Sequence, residues 1–187
     1  MSIRQSLLAI LDQGPCYGYQ LRSEFERRTG GIRPLNVGQI YNTLERLERD
    51  GMVVRGASDG EGHVFWHVTN AGREEAGAWL ARPIARGAAV RDELAVKLAL
   101  AATLPGVDVQ AVIVTERAAV TERLAALPAD ADADFPTRLA QDAVRFTAEA
   151  ELRFIEHAAS LIQNHPQHEL ALAADRPRRG RPARVAA

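Results

Sequence analysis

The chain has one cysteine, Cys16, and one lysine, Lys97. A lone cysteine excludes an internal disulfide framework and fits a cytosolic protein. Aromatic residues make up 5% of the sequence, too few for a large aromatic cage. No run of 18 apolar residues occurs, so no membrane span is expected. The N-terminal stretch MSIRQSLLAILDQGP has helical apolar spacing but no small-residue cleavage site, and reads as a folded helix rather than a leader. There is no Gly-rich phosphate loop, nucleophile elbow or paired-carboxylate motif, so no enzyme and no cofactor is expected. His157, His165 and His168 have no cysteine to assist them, and Asn164-His165-Pro166 breaks helical spacing, so no metal site is expected.

What is present is a core-forming composition, 47% hydrophobic over 187 residues, with an uneven charge. The overall net charge of −1 divides into +2 over residues 1–56, −8 over 57–175 and +5 over 176–187. The acidic middle repels a polyanion, so any nucleic-acid contact must use the two ends.

The most informative stretch is NVGQIYNTLERLERDG, residues 36–51. Asn36 is placed to cap a helix and Gln39 to return the bond. Ile40, Leu44 and Leu47 recur at helical spacing as one buried stripe. Gly51 stands where a left-handed cap belongs. The outer face carries Gln39, Asn42, Thr43 and Arg46, side-chain types that read base edges or hold phosphates, with Tyr41 on its flank. Arg46 also has Asp50 four residues on as an ion partner.

Two further helices precede this one: the first carries Ile3, Leu7, Leu8 and Leu11 and stops at Gly14-Pro15, and the second opens at Gly18 and ends in Arg27-Arg28-Thr29-Gly30-Gly31. A hairpin follows it: Met52–Arg55, a tip at Ser58–Gly62, and His63–Thr69 with Val64, Trp66 and Val68 alternating. Helix, helix, capped helix and hairpin together spell a winged helix-turn-helix. On the hairpin, His63 and His67 share a strand face and meet either phosphate or water.

Another helix starts at Thr69 or Asn70 and is disturbed by Pro83. A hinge is expected over 83–91 around Gly87. From Asp92 the pattern is helical, interrupted at Pro105-Gly106 and by the acidic loop PADADADFP. Leu139, Ala143, Phe146, Ala150, Phe154, Ala158 and Leu161 make one long stripe, which needs a partner to cover it. The expected architecture is mainly α with a small β-hairpin wing. A winged-helix domain spans 1–82, a hinge 83–91, a helical dimerisation domain 92–165, and a flexible basic tail 166–187. Leu139, Phe146, Phe154 and Leu161 are the expected dimer contacts. In the tail, Arg179-Gly180-Arg181-Pro182 resembles an AT-hook core, in which an extended Arg-Gly-Arg lies in a narrow minor groove. Its plainer reading is a basic, solubilising tail.

Several separated motifs resemble the PadR family of transcriptional regulators. They are Gly18-Tyr19-x-Leu21, Gly38-x-Ile40-Tyr41-x-x-Leu44-x-Arg46-Leu47-Glu48-x-x-Gly51, Val68-Thr69-x-x-Gly72, Trp79, and Glu93-Leu94-x-x-Lys97-Leu98. The resemblance implies a cytoplasmic, homodimeric winged-helix protein that binds double-stranded DNA. It implies a repressor relieved by a small aromatic or cationic effector. Two positions depart from the family: Asn42 stands where proline is common, and Trp66 where tyrosine is common. Trp79 and Phe146 are the candidate effector-pocket residues, with ordinary core as the alternative. Two other functions are open on the residues alone. One is a winged-helix module that binds protein rather than specific DNA. The other is a redox-responsive regulator acting through Cys16.

Overall fold

A computed structural model describes residues 3–31, 34–84, 90–128, 134–166 and 168–174, with side chains of the segment beginning at Val90 described from Glu93. The described residues form two compact units. One runs to Gly77 and takes in the segment from Leu170; the other runs from Ala78 to Glu169.

In the first unit, helices α1 (Ile3–Leu11), α2 (Gly18–Thr29) and α3 (Val37–Arg49) precede strands β1 (Val53–Ser58) and β2 (Val64–Val68), and α4 (Asn70–Ala81) follows. Leu7, Leu8 and Ile10 of α1, Leu21 and Phe25 of α2, and Ile40, Leu44 and Leu47 of α3 are fully buried, so the three helices share one core. The capping box expected at α3 is formed. Asn36 Oδ1 accepts from the Gln39 amide at 2.8 Å, and Gln39 Oε1 accepts from the Asn36 amide at 3.1 Å. Gly51 takes φ 73°, as its cap position requires, and the Met52 N–H donates to the Leu47 carbonyl.

β1 and β2 pair antiparallel, with Val53 opposite Val68, Arg55 opposite Trp66 and an irregularity between Arg55 and Ser58. Cys16 adds a third, one-residue rung: it exchanges both backbone hydrogen bonds with Trp66, at 2.9 and 3.3 Å. The exit of the wing is fastened to the exit of α3. The Thr69 N–H donates to the Met52 carbonyl at 3.0 Å, and the Thr69 hydroxyl donates to the Gly51 carbonyl at 2.8 Å. That hydroxyl also caps α4 by accepting from the Gly72 amide. A Cβ on Gly72 would stand 2.2 Å from the Met52 carbonyl oxygen, which explains glycine there.

The second unit holds the last turn of α4 with α5 (Val90–Thr103), α6 (Val109–Ala125) and α7 (Phe135–Asn164). Leu94, Leu98 and Ala101 pack with Val109, Val112, Ile113 and Val120, and with Ala148 and Ile155 of α7. Asp108 and Asp134 cap α6 and α7. Lys97 is wholly buried: its ammonium pairs with Glu116 at 2.6 Å and donates to the Arg82 carbonyl. The other Glu116 oxygen accepts from the Ile84 amide at 3.2 Å. Thus Ile84, within the expected hinge, is fixed by a buried carboxylate; residues 85–89 with Gly87 lie outside the described residues. α5 begins at Val90, two residues ahead of the expected Asp92. Residues 168–174, expected within a flexible tail, are hydrogen-bonded into the structure. The tail arginines, Arg179 and Arg181 included, lie outside the described residues.

Gly72→Ala should lower the free energy of unfolding by about 1–3 kcal/mol, because a backbone oxygen cannot rotate aside. Urea denaturation measures it, and an unchanged midpoint contradicts the close approach.

Candidate nucleic-acid interface

With Ile40, Leu44 and Leu47 buried behind it, α3 presents one fixed polar face. Gln39, Asn42 and Arg46 are exposed, while Tyr41 and Thr43 are half-buried. The Gln39 side-chain oxygen is used by the capping box, which leaves its side-chain N–H groups as donors. The Thr43 hydroxyl hydrogen goes to the Gln39 carbonyl at 2.7 Å, so its oxygen retains accepting capacity. Tyr41 is set by α2: a Cβ on Gly18 would lie 2.6 to 2.9 Å from its ring atoms and hydroxyl. Glycine at 18 therefore makes room for Tyr41 and fixes where its hydroxyl can point.

The arginines around this face divide by partner. Asp50 takes Arg4 at 2.6 Å and Arg49 at 3.1 Å, and these bonds, Arg4's foremost, hold its carboxyl below the usual carboxylate range. The expected pairing of Arg46 with Asp50 is therefore displaced. Arg55 bonds Glu48 at 2.9 Å and lies 4.9 Å over the Trp66 ring. Among the described residues Arg46 has no ion partner and the Asn42 side chain no hydrogen-bond partner.

His63, a candidate DNA contact, is turned inward. It is 7% exposed, stacks on Tyr17 with ring centroids 4.4 Å apart, and its Nδ1 faces Asp59 at 3.1 Å. Asp59 gathers the tip: it accepts from the backbone N–H groups of His63 and Glu61, and the first of these leads in holding its carboxyl below the usual range. His63 thus shapes the wing rather than offering a ring to a phosphate. His67, opposite Val54 in the hairpin and with its ring beside Gly56, is the exposed one of the pair.

The stripe assigned to dimer contact is exposed in the single chain. Leu139, Phe146, Phe154 and Leu161 all face outward, Phe146 at 66% exposure. Ala158 is the exception, packing on the internal cluster with Leu152 and Ile162. The two candidate effector-pocket residues, expected at a dimer seam, have different surroundings within one chain. Trp79 lies beside the buried Lys97, its ring centroid 5.9 Å from the ammonium, whereas Phe146 stands on the outer face of α7. Cys16 is fully buried, and burial first, then the charge of Glu24, pushes its thiol up to about 12. A thiol so protonated is a poor nucleophile, which counts against the redox reading.

Sequence reasoning passed over the buried Glu24, which bonds Arg27 at 2.7 Å and Arg28 at 3.1 Å. The three- and four-residue spacing beside Leu21 and Phe25 was the available sign.

A two-helix platform, a recognition helix and a hairpin wing define a winged helix-turn-helix head. Residues 7–78 match the transcriptional regulator PadR-like family, and residues 90–163 match the virulence activator alpha C-terminal family. Over residues 7–78 the winged-helix head is PadR-like in sequence, and the chain is a DNA-binding transcriptional regulator. Among solved structures it is similar to Bacillus subtilis PadR in complex with operator DNA, at 19% identity over 87% of this chain and 99% of that one, with a TM-score of 0.43. A Streptococcus mutans protein, smu.1604c, matches at 17% identity over 89% and 99%, TM-score 0.41. A PadR-like regulator from Bacillus cereus matches at 19% over 86% and 98%, TM-score 0.38. A search of curated proteins returned no match. No helix among the described residues is long and apolar enough to cross a membrane.

Iodoacetamide should label Cys16 far more slowly in the native protein than in denaturing urea. Because the folded state keeps a proton that the unfolded chain releases, stability should fall as pH rises past the ordinary thiol value toward 12. The contribution of this group is about 1.4 kcal/mol per pH unit. A Cys16→Ala chain with the same alkaline slope of unfolding midpoints as the wild type contradicts the assignment.

Proposed function

We propose that the protein is a homodimeric repressor that places α3 of each copy in a major groove of its operator, and that a small aromatic or cationic molecule releases it. The observation that carries the DNA contacts is the partition of polar groups on and around α3. Arg4, Arg49 and Arg55 are engaged by carboxylates, whereas Gln39, Asn42 and Arg46 face outward with donors to spare. Asn and Gln match adenine in the major groove and Arg matches guanine. Tyr41 and Thr43, half-buried on the flank, suit phosphate contacts that fix register. Asn42, where the family commonly has proline, adds a donor and an acceptor to this face.

The dimer reading is supported by the two faces of α7. Ala148, Glu151 and Ile155 face the interior of their own unit, and Leu139, Phe146, Phe154 and Leu161 are left for another surface. Two heads on one dimer address two half-sites, and occupancy of such a site excludes polymerase. Repression and effector release follow the family resemblance. The tail arginines would add phosphate attraction, and Arg179 with Arg181 would enter a minor groove at A-tracts. The cytoplasm, where the DNA of a bacterial regulator lies, is the proposed location.

Asn42→Ala and Arg46→Ala should each weaken operator binding by about 1–3 kcal/mol for every base edge left unread, while leaving thermal unfolding unchanged. Titration of labelled operator measures this, and wild-type affinity in the double variant rejects the recognition-helix reading. Phe146 is mostly exposed within the chain, so Phe146→Asp should leave the fold intact and yield monomers. Sedimentation at micromolar concentration reads it, and a dimer that persists places the interface elsewhere.

A further inference from the structure

Beyond α7 the chain returns to the winged-helix unit. Arg27 donates to the Ala171 carbonyl at 2.6 Å, and the Ala173 N–H donates to Glu24 Oε1 at 2.9 Å. Leu172 Cδ1 lies 3.0 Å from the place a Cβ on Gly14 would take. Leu170 and Leu172 are half-buried, while Glu169 and Ala171 are exposed, the alternation of an extended segment with one edge seated. The carboxylate it meets is 1% exposed, and its other oxygen already serves Arg27 and Arg28. A carboxylate that deep needs donors on both oxygens, and Ala173 supplies one. The segment also lies beyond both matched stretches, which end at residues 78 and 163. Arg176, Arg178, Arg179, Arg181 and Arg184 follow directly.

We propose that Leu170–Ala174 is an anchor that fixes the arginine-rich tail to the winged-helix unit, so that tail and recognition helix of one chain act on the same DNA duplex. The proposal rests on the reading of the tail as a phosphate-binding element. Arg184 lies ten positions beyond Ala174, so the chain can carry every tail arginine no further than about 35 Å from the anchor. If the anchor lets go, the free tether starts at His168, which stays bonded to the Ala102 carbonyl. The chain ahead of Arg179 becomes roughly twice as long, and the effective concentration of the arginines falls about threefold.

The test uses four full-length chains: wild type, Leu170→Asp with Leu172→Asp, a chain with all five tail arginines changed to Ser, and the combination of both sets. Amide exchange at Ala173 reports docking. Affinity for a mixed-sequence DNA duplex across a salt series reports phosphate contacts. The anchor requires protection of Ala173 in the wild type and its loss in the Asp pair. The Asp pair should bind DNA about threefold more weakly, and should have no effect in the arginine-free chain. Free-chain exchange of Ala173 in the wild type overturns docking. Equal losses with and without the arginines overturn the anchor, since the segment then serves the head alone. Undiminished affinity in the Asp pair overturns it as well. If the arginine-free chain keeps wild-type affinity and salt slope, the tail reading itself fails, a result distinct from failure of the anchor.

Discussion

The carbonyl oxygens of Gly51 and Met52 tie the wing to the end of the recognition helix. Thr69 reaches both, one with its hydroxyl and one with its amide, and Gly72 lets α4 come down upon Met52. Because α3 ends in a left-handed glycine, the chain turns sharply enough for this junction to close. Helix, wing and the following helix therefore move as one body. The outer face of α3 inherits that rigidity, reinforced by the capping box at its start and by Tyr41 over Gly18. A face held this way presents Gln39, Asn42 and Arg46 at fixed spacing, which is what reading a rigid duplex demands.

Much of the head was legible because its signals are local. The capping pair at Asn36 and Gln39, the stripe of Ile40, Leu44 and Leu47, and Gly51 each announce themselves within a few residues. The alternation about Trp66 did the same for the wing. What escaped depends on partners distant in sequence. His63 has the alternation of an outward residue, and nothing nearby in sequence reveals that Tyr17 covers it. Arg46 has Asp50 at the right helical spacing, but Arg4 takes that carboxylate from across the fold. Glu24 is part of an ordinary helix surface until the backbone of Ala173 arrives. Element ends were less legible: the first wing strand, expected to end at Arg55, runs to Ser58, and α5 begins at Val90 rather than Asp92, since ends without a capping residue leave little trace.

The helical unit shows two uses of one helix. On α7 a stripe through Ala148, Glu151 and Ile155 builds the core, and a second stripe through Leu139, Phe146 and Phe154 stays outside. The sequence pattern revealed the outer stripe more plainly because it carries the large aromatics. Lys97 illustrates the opposite case. The lone lysine of the chain is a core residue, held by Glu116 and by the Arg82 carbonyl just past α4. A buried pair of this kind adds little net stability but fixes which backbone groups sit there. Here those groups are the Arg82 carbonyl and the Ile84 amide.

The central claim is that the outward face of α3, presented twice by a dimer, reads DNA. Selection of bound duplexes from a random pool addresses it directly. The account predicts enrichment of an inverted repeat whose half-site centres lie about 10 base pairs apart, or a multiple of that, along one face of the duplex. A pool that stays random, or one that yields a lone half-site, contradicts it.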